Sequence, residues 1–198
     1  GRKAVGEAAK GRNRRVHRDG ARICNAGTAL GVPAKEIADG VDSVTFCISK
    51  GLCAPVGALI CGTKDFIAEV HRFRKMLGGG MRQCGILAAA GMVALTTMVD
   101  RLQEDHANAR LLAQQLHHIP GFAVDMESVQ TNIVCADVQN TGQSANDLVA
   151  RFEREGVRCL SRGRYKLRFL LHRQVSSQDV NHAVQIMMRC LCDAPALS

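Results

Sequence analysis

A chain of 198 residues with 46% hydrophobic and 22% charged residues can bury a core in one domain or two small ones, which excludes a disordered polypeptide. The formal net charge of +8 suits an anionic ligand. An aromatic share of 4% leaves few platforms for stacking bases, and no groove-reading motif occurs, so no nucleic-acid partner is expected. No apolar run reaches the length of a membrane span, so no membrane contact is expected either. Nine cysteines are scattered without a Cys-x-x-Cys pair. That spacing predicts no metal site and mostly buried, reduced thiols.

Residues 1–15 are basic and weakly periodic, and they read as a solvated helix or a loose tail. Val16–Asp19 is a short strand, ended by Gly20. Ala21–Leu30 reads as a helix closed by Gly31-Val32-Pro33, with Asp19 placed as a helix cap or as a carboxylate aimed at a ligand. A short helix over 33–38 leads into the strand Ser43–Ser49, where Val44, Phe46 and Ile48 alternate with Thr45, Cys47 and Ser49. Lys50 stands where Gly51, Pro55 and Gly57 end the ladder. It reads either as a strand-ending lysine in water or as an amine held at the mouth of a buried strand, able to condense with an aldehyde.

Val56–Cys61 reads as another strand and 64–77 as an amphipathic helix with Arg72, Arg74 and Lys75 on its polar side. Gly78-Gly79-Gly80 then precedes a helix expected to start near Met81. The glycines are either a flexible joint or the approach to an anion site at the helix start, with Arg82 as its cation. No charge occurs between Arg82 and Asp100, which predicts a helix buried on all sides, at a subunit interface for want of other cover. The helix is expected to continue as an amphipathic one to Ile119, with a domain boundary near residue 105. Beyond it the order is strand (Phe122–Val124), strand (Asn132–Val138), helix from Ser144, strand pair (Val157–Leu160 and Tyr165–Leu171), and a last helix capped by Ser176. Arg168 interrupts an apolar strand. It is either the exposed face of that strand or a fork for a carboxylate.

Five segments in register, His17–Arg22, Ser49-Lys50-Gly51-Leu52 with Ala54-Pro55-Val56-Gly57, Arg74–Gln83, Thr131-Asn132-Ile133-Val134 and Leu167–His172, resemble the threonine aldolase family, which uses pyridoxal 5'-phosphate on the aspartate-aminotransferase-like fold. The resemblance runs from about Val16 to the last helix. It implies an α/β protein, the C-terminal part of a fold-type I pyridoxal-phosphate enzyme, with a remnant of the large-domain sheet (1–105) and a small α+β domain (106–198). By the same resemblance Lys50 carries the cofactor and Asp19 pairs with its pyridine nitrogen. Arg22 lies beside it, Arg82 reaches its phosphate from a neighbouring subunit, and Arg168 holds the substrate carboxylate.

The implied activity is retro-aldol cleavage of L-threonine or L-allo-threonine to glycine and acetaldehyde, within threonine catabolism and glycine biosynthesis. The implied assembly is a homodimer or homotetramer, and the implied compartment is the cytoplasm, with the mitochondrion as the alternative. The family's N-terminal half, with its phosphate loop and ring-stacking histidine, is missing from the sequence. A non-catalytic remnant or interaction protein of the same fold is therefore the competing expectation. The sequence departs from the family pattern at two positions. Arg18 replaces a leucine in a strand where burial would demand a partner for it, and Cys53 replaces a glycine where a positive φ would strain any side chain.

Overall fold

The computed structural model describes residues 2–192 and divides the chain into two compact units, Gly1–Leu102 and Gln103–Ser198. The first holds α1 (Arg2–Lys10), β1 (His17–Asp19), α2 (Ile23–Leu30), α3 (Ala34–Ile37), β2 (Ser43–Cys47), β3 (Ala58–Gly62), α4 (Lys64–Met76) and α5 (Gly85–Thr97). Its sheet has the order β1-β2-β3, with β1 parallel to β2 and β3 antiparallel. Alternation puts Val44 on one face, where it packs with Ile23 of α2 and Ile37 of α3. Gly31 ends α2 in the left-handed region at φ 65°, a conformation that glycine adopts without a Cβ penalty.

Arg18 shares that face and finds the partner its position requires. It is half-buried, and its guanidinium donates to the carbonyl of Ile37 at the end of α3. β1 is moreover an edge strand, so it is not enclosed as a central strand would be.

Within the single chain only Gly91 and Ala94 of α5 are buried, while Ile86 is 82% and Met92 67% exposed, so the cover expected for this apolar stretch is not supplied by the chain itself. α4 likewise buries none of its residues, and Phe73, Met76 and Leu77 stand exposed. A helix apolar all round needs neighbours all round, and the buried side of α5 meets Ile48, Leu52, Ala54 and Leu102. The helix also breaks after Thr97 and resumes at Leu102 as α6 (Leu102–His117). Thr96 and Thr97 turn their hydroxyls back onto Val93 O at 3.4 and 2.8 Å, and Thr96 also reaches Met92 O at 2.9 Å. Such back-bonding bends helices without any proline.

The second unit places β4 (Ile133–Asp137), β5 (Leu160–Ser161) and β6 (Lys166–Leu170) in the antiparallel order β4-β6-β5, with α7 (Ala145–Arg154) and α8 (Ser177–Cys192). Leu167 and Phe169 of β6 join Leu112, Leu116, Leu148, Phe152 and Met187 in one large core. The strand expected over Phe122–Val124 is reduced to a single bridge, Ala123 to Asp137. Asp125 ends it by accepting from the Glu127 amide at 3.1 Å and opening a helical turn. The cysteines also depart from expectation: among the described residues only Cys190 is buried, and five of the nine are exposed. Burial, helped by the charge of Glu153, pushes the Cys159 thiol up to about 11, so it stays protonated near neutral pH.

α8 starts on a reciprocal cap. Ser176 Oγ accepts from the Asp179 amide at 3.2 Å, while Asp179 Oδ2 accepts from the Ser176 hydroxyl at 2.7 Å and its amide at 2.8 Å. These two bonds, the hydroxyl first, hold the Asp179 carboxyl below its ordinary value. A depressed carboxylate stabilises the fold above its unfolded pKa, and the contribution is lost as pH falls through the folded one. Removing the cap with Ser176→Ala is expected to cost about 1 kcal/mol at neutral pH. The gap from wild type should narrow below the ordinary carboxylate range, and denaturant melts at several pH values measure this.

Candidate active site

In the first unit, the candidate residues gather at the carboxyl edge of the parallel pair. Asp19 is the last residue of β1 and pairs in register with Thr45 of β2. Lys50 lies three residues beyond Cys47, where β2 ends. Because the two strands run the same way, both residues leave the sheet at the same edge, where open α/β sheets bind their ligands.

Asp19 does not cap α2. Its Oδ1 accepts from the Ala21 amide at 3.1 Å, closing the turn that follows the strand. That turn is stitched to β2 by Gly20 N to Thr45 O at 2.7 Å and Cys47 N to Ala21 O at 3.3 Å. Arg22 occupies the N-cap position of α2 and is half-buried. His17 lies two residues before Asp19 on the same face. Its ring pairs with Ser43 Oγ at 2.8 Å and Thr45 Oγ1 at 3.2 Å, clamping β1 to β2 beneath the carboxylate. Sequence reasoning passed over this clamp, because only the strand register brings 17 opposite 43.

The loop that bears Lys50 is fixed by apolar anchors and backbone bonds. Ile48, Leu52 and Ala54 are buried with Ala94 and Leu102. Ile48 N donates to Gly57 O at 3.1 Å, Ala54 N to Ile48 O at 3.0 Å, and Cys53 N to Lys50 O at 2.9 Å. Gly51 is required for space: a Cβ there would lie 2.8 Å from Leu102 Cδ2 and 3.2 Å from Asn25 Oδ1. Lys50 itself is exposed, as is Asp19, so the amine is not withdrawn from water in this chain. The reason is geometric, since the loop's buried residues all turn toward the core and none of them covers the lysine.

Cys53 adopts φ 61°, the left-handed region. A side chain there costs about 1–2 kcal/mol, and glycine gives back about 0.4–1 kcal/mol through its freer unfolded state. Cys53→Gly is therefore expected to stabilise the chain by roughly 0.5–1 kcal/mol, read as a higher denaturant midpoint at unchanged slope.

Arg82 is exposed, between the three glycines and α5, which starts at Gly85 rather than near Met81. Gly78, at φ 82°, ends α4, and Gly79 N returns to Arg74 O at 2.8 Å, so the glycines serve first as a helix stop. Arg168 belongs to the second unit, half-buried at the centre of β6 between Cys135 and Leu160, on the face opposite Leu167 and Phe169. The structure thus brings Asp19, Arg22 and Lys50 to one edge and places Arg82 in a turn of the same unit.

The residues at that edge fit a pyridoxal group. An accessible amine faces solvent from an anchored loop, and a carboxylate uses only Oδ1 internally, leaving Oδ2 for a ring nitrogen.

Comparison with known proteins identifies the family. The beta-eliminating lyase family matches residues 2–140. The low-specificity L-threonine aldolase 1 of Arabidopsis thaliana is 39% identical over 188 residues, 94% of this chain and 52% of that protein. The low specificity L-threonine aldolase of Escherichia coli K12 is 48% identical over 143 residues, 72% of this chain and 42% of that protein. A candidate L-allo-threonine aldolase of Listeria monocytogenes superposes with TM-score 0.78 at 18% identity, covering 96% of this chain and 54% of that one. The Oryza sativa TDC structure with PLP gives 0.72 at 21% identity, covering 97% and 45%. The chain spans about half the length of the relatives it matches. It belongs to the beta-eliminating lyase family, with threonine aldolases as its relatives, and carries part of a fold-type I scaffold.

Proposed function

We propose that the chain supplies the lysine-bearing part of a threonine aldolase-like lyase that cleaves L-threonine or L-allo-threonine to glycine and acetaldehyde with pyridoxal 5'-phosphate. The observation that carries this reading is the placement of Lys50 and Asp19 at one carboxyl edge of a parallel strand pair. Bound there, the cofactor would supply an electron sink for the substrate carbon. Lys50 would hold it covalently through Nζ, and the Asp19 carboxylate would keep a proton on the ring nitrogen. The His17 clamp would hold Asp19 in place. Arg22 would flank the ring, Arg82 would fork onto the phosphate, and Arg168 would orient the substrate carboxylate. Glycine formation from threonine and a homodimeric or homotetrameric assembly belong to the same proposal.

A second reading, a non-catalytic interaction protein of the same fold, is favoured by one observation. Lys50 and Asp19 stand exposed, and α4, the turn after it and α5 show Phe73, Met76, Leu77, Ile86 and Met92 to solvent. Purified chain mixed with pyridoxal phosphate and reduced with borohydride separates the two. A pyridoxyl group on Lys50 supports the lyase reading, and an unmodified chain supports the interaction protein.

A further inference from the structure

The second unit carries a cavity of about 300 Å³ that the lyase reading leaves unused, lined by Arg151, Arg154, Glu155, Ile186, Arg189 and Cys190. It lies between the last turns of α7 and α8, and three arginines and one glutamate are among its lining residues.

Arg151 is the fixed member. It is half-buried, donates through one terminal nitrogen to Gln143 Oε1 at 2.6 Å, and donates through the other to the carbonyl of Cys190. This pins it between the two helices. Arg154 spends only its Nε, on Ala150 O of its own helix at 3.3 Å. A basic residue at a helix end ordinarily offsets the negative end of the helix dipole. Arg151 and Arg154 each do so through a carbonyl. Arg189 adds a third positive charge and bonds to no carbonyl in this way. Arg151 and Arg154 also repel each other, one helical turn apart. The nearby ion pair joins Arg158 to Glu153 at 3.7 Å, both well exposed, and relieves none of the three.

We propose that this cavity binds a small, multiply charged oxyanion of the phosphate class, with room beside one phosphate group for the body of a phosphomonoester. The terminal nitrogens of Arg154 and the fork of Arg189 match phosphate oxygens in pairs, while Arg151, whose own terminal nitrogens are held by Gln143 and Cys190, adds its charge beside them. Its lining shares no residue with those assigned to the pyridoxal cofactor, of which Arg82 is the phosphate-binding candidate.

The test uses the full chain and inorganic phosphate at constant ionic strength, read from the arginine Nε–Hε signals in nitrogen-correlated NMR. Saturable shifts of the Arg151, Arg154 and Arg189 signals are expected. Arg189→Ala should weaken the phosphate affinity at these signals about tenfold, the worth of one charge-assisted contact. Arg189 is exposed, so the melting temperature should not move. Arg189→Lys, which keeps the charge without the fork, should fall between wild type and alanine. Arg82→Ala should leave this affinity unchanged. Absence of saturable shifts, shifts that chloride reproduces at equal ionic strength, or an affinity indifferent to Arg189→Ala would each overturn the proposal.

Discussion

Lys50→Ala is expected to abolish the pyridoxyl group that borohydride fixes on the wild-type chain, from near-stoichiometric labelling to background. Among the described residues Lys50 carries the one primary amine placed at that edge, and its loop is anchored without it. Ile48, Leu52 and Ala54 bury the turn, and the bond from Cys53 N uses the backbone carbonyl of residue 50, which alanine retains. The variant should therefore fold as wild type does, so a lost label reports chemistry and not unfolding. Lys50→Arg keeps the positive charge without a nucleophilic amine and should behave as alanine does. Asp19→Asn makes a subtler test. An amide oxygen can still accept from Ala21 N, so the turn survives, while the carboxylate that would hold a proton on the ring nitrogen is gone. Under the lyase reading it should accept label at Lys50 yet lose turnover. For Lys50→Ala the loss of turnover under that reading should reach about a thousandfold or more, as for deletion of a covalent catalyst. Equal labelling of wild type and Lys50→Ala would place the reactive amine elsewhere and leave the interaction protein as the surviving reading.

How far the site could be read in advance depended on how local each signal was. The strand ending at Lys50 announced itself through period-two alternation and three breakers, and the structure ends β2 at Cys47. The conditional expectation for Cys53 also rested on one residue's backbone, and φ 61° meets it. What could not be read in advance was non-local. The apolar stretch over 85–97 carries no information on whether its partners lie within the chain, and most of α5 proves exposed. The break after Thr97 has no glycine or proline to mark it and depends on two hydroxyls choosing carbonyls. The His17 clamp required the β1–β2 register, which pairs His17 with Ser43 across 26 positions. The arginine cavity required α7 and α8 to bring 151 and 154 beside 189. No window of sequence contains both.

The other large effect is expected in the second unit. Phe152 is fully buried, the bulkiest side chain at the centre of a core that joins α6, α7, α8 and the sheet. Phe152→Ala removes a ring from a close-packed interior and should cost about 3–5 kcal/mol, a large share of the roughly 5–15 kcal/mol typical of a folded domain. The residues that fix the Lys50 loop form a different cluster, Ile48, Leu52, Ala54, Ala94 and Leu102, with no member in common with the core around Phe152. Damage at 152 should therefore appear as an early unfolding transition of β4–β6 and α7–α8 while Lys50 still accepts borohydride-fixed label. Hydrogen exchange resolved by segment reads the first, and mass spectrometry of the labelled peptide reads the second. If labelling at Lys50 falls in proportion to the lost stability, the two units unfold as one and the anchored loop is not self-sufficient. If exchange accelerates only in residues 103–192 while labelling holds, the turn 48–57 keeps its shape on the strength of its own small core, as its burial and backbone bonds imply.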